Sequence, residues 1–321
     1  MSVLIRRERE ARLRTMTTGD MEEVREVGQV AWSDLAMHDI GRRFKYPKRS
    51  ERIIDAYLTN DPQGCVVAEV EGKIVGSAFC HTWGRVGWTG PLEVLPAYQD
   101  HGIGKMLLKS CESHLSERGC SIIGLETMCH LPKNLHFYMS SGYRTGPATL
   151  IMEKVLRQEH GDTAGVKEIE KSDLDGGLEI VTRLSQAINP QLDYAPEALS
   201  IVSKGLGNLY VLEGDQGPLG CALLHTYQRG EEAPYSSVKA VLVDPRAPDP
   251  RMVLDRLMNR CEAKSLEGGK TKLLTRFSPI DNRMYGVMLA RSYALRGANL
   301  RMIKVGEYDE AGWCSITSWA G

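Results

Sequence analysis

The sequence predicts an α/β protein in which one layered domain is written twice. Three observations carry this reading. Residues 11–155 and residues 166–306 run through the same order of strand and helix patterns. In each, an apolar strand runs into a proline, at Pro96 and again at Pro245, about 150 residues apart. That interval is the size of a domain rather than of a solenoid repeat, and a chain of 321 residues has room for two domains.

In the first half, residues 11–16 read as a strand. A helix follows, capped near Thr18 or Asp20, whose side-chain oxygens suit the free N–H groups of a first turn. A polar, basic loop over 38–52 leads into a second helical stretch at 51–58. Residues 64–70 and 73–81 alternate as two strands about a turn at Glu71-Gly72, which makes a hairpin. The strand over 90–95 ends at Pro96, and an amphipathic helix occupies 103–118. A strand at 121–126, a helix at 135–140 and a strand at 149–155 complete the set, the interleaving of a layered α/β domain.

The second half gives a strand at 166–169, a cap at Ser172-Asp173 and a helix at 177–188. A hairpin over 208–213 and 218–225 follows, then the strand 238–243, which ends in Asp244-Pro245. A helix at 252–265, a strand at 272–276, a helix at 285–290 and a strand at 299–305 close it. The polar segment 158–165 is the expected linker, so the domains are placed at 1–157 and 166–321. One difference matters more than the likeness. After its proline the first half has Gln99-Asp100-His101-Gly102-Ile103-Gly104, whereas the second has Arg246-Ala247-Pro248-Asp249-Pro250-Arg251, without glycine and with two residues that lack an N–H.

Composition narrows the class. A hydrophobic fraction of 42% with 25% charged residues is that of a globular chain. The net charge of -1 lacks the basic excess of a nucleic-acid binder, so no nucleic-acid partner is expected. No apolar run approaches membrane-spanning length, so no membrane partner is expected either. No signal peptide is expected from Ile5-Arg6-Arg7-Glu8-Arg9-Glu10. The eight cysteines form no CxxC pair; Cys65, Cys111, Cys120, Cys221 and Cys261 sit in apolar patterns and read as small buried hydrophobes, which fits a reduced, cytoplasmic setting. His130 and His136 have no partner spacing for a metal, and none is expected.

The chemistry concentrates at 92–108. A strand, a loop with two glycines and an amphipathic helix present unpaired N–H groups at a helix N-terminus, where the summed peptide dipoles favour an anion. Gly102 and Gly104 let the backbone approach a ligand that a Cβ would hold off.

These residues resemble the GCN5-related N-acetyltransferase (GNAT) superfamily. The likeness rests on Leu92-Glu93-Val94-Leu95-Pro96 joined to Gln99-x-x-Gly102-x-Gly104, the superfamily's acetyl-CoA pyrophosphate signature. Phe137-Tyr138 with Gly142-Tyr143 and the hairpin carrying Gly76 support it. It covers 11–155 well and 166–306 as a degenerate copy. It implies two tandem GNAT-like domains, each with a mixed, mostly antiparallel central sheet flanked by helices. The implied activity is an N-acetyltransferase that passes an acyl group from acetyl-CoA to an amine by direct attack in a ternary complex.

The resemblance also assigns roles. Backbone groups of Gln99, Asp100, His101, Gly102, Ile103, Gly104 and Lys105 would hold the pyrophosphate, and the strand around Leu92 and Val94 the pantetheine arm. Tyr138 would protonate the leaving thiolate, and Asn134 stands in for the family's asparagine, whose own place here is Leu131. Glu93 is the candidate base and His81 the runner-up, with water as the alternative to both. Glu93 also reads as an outward strand charge, and Tyr138 as a packed helix residue. If Tyr293 answers Tyr143, then Met288 stands where Tyr138 does, which argues against a second centre. Trp32, Phe44 and Tyr46 occupy the region that borders the acceptor in this family, with Trp83 and Trp88 on the strand pair facing it. The basic run Arg42-Arg43-Phe44-Lys45-Tyr46-Pro47-Lys48-Arg49 would favour an acceptor with a carboxylate or phosphate if it lines the pocket. The partner is a small-molecule or peptide amine; its identity and the oligomeric state are not written in the sequence. The rival reading is a non-catalytic acyl-CoA sensor.

Overall fold

The computed structural model describes residues 10–41, 43–157, 161–227 and 233–319. Arg42 of the basic run, positions 158–160 of the expected linker and Ile5 to Arg9 lie outside the described residues. The described chain divides into two compact units. One holds the residues up to His81 together with Thr89–His114, the other Thr82–Trp88 and the residues from Leu115 on. The division cuts through two strands and a helix and does not follow 158–165.

In the first unit β1 (Arg12–Thr15) leads to a short 3-10 turn and α1 (Met21–Ile40). Thr17 and Asp20 close that entry as a capping box, and Arg14 grips both Asp20 carboxylate oxygens at 2.7 and 2.8 Å. The next helix, α2 (Glu51–Asn60), is capped by the Ser50 side chain, which accepts from the Arg52 N–H. β2 (Cys65–Val70) and β3 (Lys73–Trp83) then form the expected hairpin. Its turn residues Glu71 and Gly72 both take left-handed φ, 52° and 79°. β4 (Val86–Val94) and the start of α3 (Ile103–Glu117) follow, and the strand order is β1-β2-β3-β4. Gly76 on β3 faces Leu107 of α3 and Val94 of β4 so closely that a Cβ there would sit 3.1 Å from Leu107, which fits the close helix-on-sheet packing. Met16, Val24, Val27, Ile54, Val67 and Phe79 make this unit's core.

The second unit adds β5 (Ile122–Met128), α4 (Pro132–Ser140), β6 (Arg144–Val155), β7 (Val166–Glu168) and α5 (Leu174–Ile188). Then come α6 (Ala195–Ser203), β8 (Gly207–Gly214), β9 (Gly217–His225) and β10 (Tyr235–Val243). α7 (Pro250–Glu267), β11 (Lys272–Phe277), α8 (Asn282–Ala290), β12 (Ala294–Val305) and β13 (Ile316–Thr317) end the described elements. From the first residues of β4 the strand order runs β4-β5-β12-β6-β11-β10-β9-β8-β7, with β13 on β10. The pairs β4–β5 and β10–β11 are parallel and the other registered pairs antiparallel, so the sheet is mixed and mostly antiparallel, as expected.

The strand order contains an exchange. β12, from the C-terminal half, lies between β5 and β6, while β6, from the N-terminal half, pairs with β11. The β6–β12 ladder is two-fold in register, with Arg144 opposite Ile303 at one end and Glu153 opposite Ala294 at the other. Lys154 Nζ lies 5.7 Å from the Tyr293 ring and Lys304 Nζ 5.6 Å from the Tyr143 ring, one contact made twice. The turns preceding these strands match bond for bond. Tyr143 N–H donates to Tyr138 O at 3.1 Å, and Tyr293 N–H to Met288 O at 2.9 Å. Met288 thus holds the position of Tyr138.

Several elements differ from the sequence reading. α1 continues to Ile40, into the segment read as loop; β4 begins at Val86 and β6 at Arg144, each before the expected start. α6 and β13 are additional to the expected set. The early strand starts are hidden in the sequence because glycine and proline break the alternation at Gly87, Gly90, Pro91, Gly146 and Pro147, while neighbouring strands keep the backbone extended. The five cysteines read as buried hydrophobes are buried and free.

Candidate active site

The expected ligand loop is built as strand, turn and helix. β4 ends at Val94, a 3-10 turn covers Pro96–Tyr98, and Asp100 and Gly102 take left-handed φ of 64° and 80° before α3 opens at Ile103. Gly102 has no side chain with which to cap that helix. The first intrahelical bond runs from Met106 N–H to Gly102 O at 3.0 Å, so the N–H groups of Ile103, Gly104 and Lys105 have no partner within the helix. Asp100, His101 and Gly102 are exposed, and a Cβ placed on Gly102 meets nothing within 4 Å. This is an open anion cradle, and an acyl-CoA pyrophosphate fits its donors.

The corresponding helix of the C-terminal half is closed. Pro250 has no N–H, Asp249 takes the Met252 N–H at 3.0 Å, and Val253 N–H begins the helical bonds at 3.2 Å to Asp249 O. Arg251 alone among the first-turn donors is left, beside a carboxylate. The prolines signal this closure in the sequence, and so does the Asp-Pro pair, in which Asp249 is placed to cap.

Gln99 turns back toward β4, and its Nε2 donates to Val94 O at 3.0 Å, while Leu95 N–H donates to Val75 O at 2.9 Å. The Val94 carbonyl is therefore already an acceptor, and the Gln99 side chain fixes the loop to the strand end. The parallel register of β4 with β5 ends at Trp88 opposite Gly124. His101 Nδ1 lies 2.6 Å from Gln99 O. Leu92 is half-buried on β4, and Lys105 is exposed on the first turn of α3.

Glu93 is only 3% exposed. Trp32 Nε1 donates to its Oε1 at 2.6 Å, and Arg49 donates to Oε1 at 2.8 Å and Oε2 at 3.2 Å. Gly28 of α1 leaves room for it, since a Cβ there would stand 2.9 Å from Oε2. Burial disfavours the charge on Arg49, but the Glu93 carboxylate outweighs it and holds the guanidinium pKa above its ordinary value. His81 Nε2 lies 2.7 Å from Gly90 O, an acceptor, so that nitrogen carries the hydrogen; its ring meets Tyr57 edge-on at 4.7 Å.

In the second unit, Tyr138 is a half-buried residue of α4 whose ring meets Phe137 at 5.0 Å and Tyr143 at 5.8 Å. Asn134 Nδ2 donates to Thr127 Oγ1 at 3.3 Å and ties α4 to β5. Trp83 and Trp88 are fully buried against Tyr194 and the α5–α6 core, with Lys239 Nζ 4.9 and 5.1 Å from their rings. Their place is therefore packing within this unit. The role of Arg49 does not show in the sequence, because nothing local marks which residue of a basic run reaches a strand 44 residues on.

The fold so defined is a mixed, mostly antiparallel sheet flanked by helices, with an open helix N-terminus after β4. Comparison with known proteins then gives the family. The acetyltransferase (GNAT) family model matches residues 29–143. An acetyltransferase of Sodalis glossinidius (strain morsitans) is 31% identical over 109 residues, 34% of this chain and 77% of that protein. One of Pectobacterium atrosepticum is 39% identical over 75 residues, 23% of this chain and 53% of that protein. Among solved structures, a putative acetyltransferase from Pyrococcus horikoshii has a TM-score of 0.71 at 15% identity, covering 97% of this chain and 95% of that one. A tandem GNAT protein from the clavulanic acid biosynthesis pathway has a TM-score of 0.59 at 16% identity, covering 94% and 99%. These two likenesses show the fold. The chain belongs to the GNAT family of acetyltransferases.

Proposed function

We propose that the protein is an acetyl-CoA-dependent N-acyltransferase with one centre, carried by residues 1–157, and that residues 166–321 are a degenerate second copy without one. The observation that carries this is the contrast between the open N-terminus of α3 and the capped N-terminus of α7. In this reading the N–H groups of Ile103, Gly104 and Lys105, with the backbone of Gln99 to Gly102, hold the pyrophosphate. Leu92 and Val94 take the pantetheine arm along β4. The acceptor nitrogen attacks the thioester carbonyl; a C–N bond forms, the C–S bond breaks, and Tyr138 gives its phenolic proton to the departing sulfur. Asn134 positions Tyr138 by anchoring α4 to β5.

Glu93, the candidate base of the sequence, takes another part. Both oxygens of its carboxylate are engaged by Arg49 and Trp32, so we assign proton removal to water and give Glu93 the task of fixing Arg49 and Trp32. The test is thiol release from acetyl-CoA against an amine library, with Gly104→Asp and Tyr138→Phe as controls. Release that depends on amine and is lost in Gly104→Asp is the expected result. Full activity in Gly104→Asp would show the cofactor site to be misplaced. Binding of acetyl-CoA without release across the library would favour a sensor.

A further inference from the structure

The first helices of the two halves differ along their C-terminal parts, and the difference bears on the acceptor of the activity just proposed, on which this inference rests. α5 buries Val181, Leu184 and Ile188 completely. On α1, no residue from Gln29 to His38 is fully buried; Val30 and Met37 are each 45% exposed, and Phe44 beyond the helix is 51% exposed. Val30 and Met37 stand on the helix face opposite Gly28 and Trp32, which meet Glu93, so the exposed apolar surface that can serve the site is Phe44 with the Trp32–Tyr46 pair.

The loop that carries Phe44 is built rather than loose. Residues 43–50 have no regular secondary structure, yet Tyr46 N–H donates to Ser33 Oγ at 2.8 Å and Tyr46 O accepts from Gln29 Nε2 at 2.7 Å. Arg49 O accepts from Arg25 Nε at 2.8 Å. Side chains of α1 thus hold the loop backbone at both points. Trp32 and Tyr46 stack with centroids 5.5 Å apart at 22°, and Phe44 meets Tyr46 edge-on at 5.9 Å. Trp32 also binds Glu93, the neighbour of Val94, so this aromatic wall stands at the strand end assigned to the donor arm.

Charge gives the second constraint. Residues 43–50 contain Arg43, Lys45, Lys48 and Arg49 and no acid. Lys48 is drawn to Glu22 and Glu26, and Arg49 to Glu93, whereas Arg43 and Lys45 are exposed on either side of Phe44. A polycationic acceptor is repelled by such a rim, and an anionic group is attracted. The same positive rim disfavours an ammonium and so eases loss of its proton to water.

We infer that the acceptor is an amine with a flat apolar body and an anionic group, its ring against Trp32, Tyr46 and Phe44 and its anion at Arg43 and Lys45. The test compares matched acceptors in thiol release: phenylalanine with phenethylamine, tyramine O-phosphate with tyramine, and spermidine as the polycation. The two anionic probes separate carboxylate from phosphate. In each pair the anionic member is expected to have the higher kcat/KM, and spermidine the lowest. Arg43→Glu with Lys45→Glu is expected to raise the KM of the anionic member about 10-fold more than that of its neutral counterpart. Phe44→Ala is expected to raise both. A preference for spermidine, or an equal KM change within each pair, overturns the inference. So does a lack of release from every probe while acetyl-CoA still raises the melting temperature, a result that leaves the donor site standing. Failure of acetyl-CoA to raise the melting temperature of the wild-type chain instead overturns the proposed function.

Discussion

The β4–α3 and β10–α7 junctions share a strand, a proline and a helix, and differ in what stands at the helix N-terminus. At α3 a glycine leaves three donors without an intrahelical partner, while at α7 a proline removes one donor and Asp249 satisfies another. The first arrangement leaves donors open at the cost of local helix stability; the second satisfies them with a cap. The neighbouring strand position follows the same division. Counted back from each proline, Glu93 of the first half answers Leu242 of the second, a buried ion pair against a fully buried aliphatic side chain. The frame tolerates both, so the fold and the site are separable properties of this sequence.

That comparison treats the halves as copies, and the strand exchange sets its limit. Because β12 lies between β5 and β6, a chain ending at residue 157 loses the strand that joins its own β5 to β6. Residues 1–157 alone are expected to show no cooperative unfolding transition in urea, the largest of the expected effects. A sharp two-state melt of that fragment would break the picture of interdependent halves.

Next in size is the buried pair. Glu93→Gln leaves the Arg49 guanidinium, 12% exposed, without its counter-charge and is expected to cost about 3 kcal/mol in denaturant unfolding. Glu93→Leu combined with Arg49→Met imitates the apolar second half and is expected to recover most of that loss. If the single change is nearly neutral, the pair does not anchor the wall as described.

The two helix ends then offer opposite substitutions. Gly104→Asp brings a negative charge to the open cradle and is expected to raise the KM for acetyl-CoA about 100-fold, equivalent to about 3 kcal/mol in binding. The melting temperature is expected to stay level, since an acid suits a first turn. Asp249→Ala removes a cap and is expected to cost about 1 kcal/mol of stability without changing thiol release. A loss of activity in Asp249→Ala would mean that the second junction has kept a part in catalysis.

Much of this is legible without the structure. Local chemistry writes the Glu71-Gly72 turn, the α3 entry and the loss of the glycines at α7, since each depends on residues adjacent in sequence. What escapes depends on distant partners. The Glu93–Arg49 pair joins positions 44 apart, and the exchange of β6 and β12 is a choice of neighbour that alternating strands do not encode. α6 escapes for another reason. Its nine residues begin with Ala195-Pro196, carry few charges and bury Ala198, Ile201 and Val202 at i, i+3 and i+4 spacing, a pattern too short to stand out from a loop.

The smallest effect is a difference in acid sensitivity between the junctions. Asp244, just before Pro245, answers Leu95 before Pro96. The Arg246 side chain bonds both its oxygens at 3.1 and 3.0 Å and the Arg246 N–H adds a third bond at 2.8 Å, which holds the carboxyl below the usual carboxylate range despite burial. A folded-state pKa below the unfolded one means that this stabilisation is full above about pH 4 and is lost as pH falls through the folded value. Arg246 is 75% exposed at its side chain, so solvent screening keeps the effect small. The difference in melting temperature between wild type and Asp244→Asn is therefore expected to be measurable at pH 7 and to vanish in acid. A difference that stays constant down to about pH 3, below the ordinary carboxylate pKa, would mean that Asp244 acts through its hydrogen-bonded shape alone, and the two junctions would then differ in their donors but not in their titration.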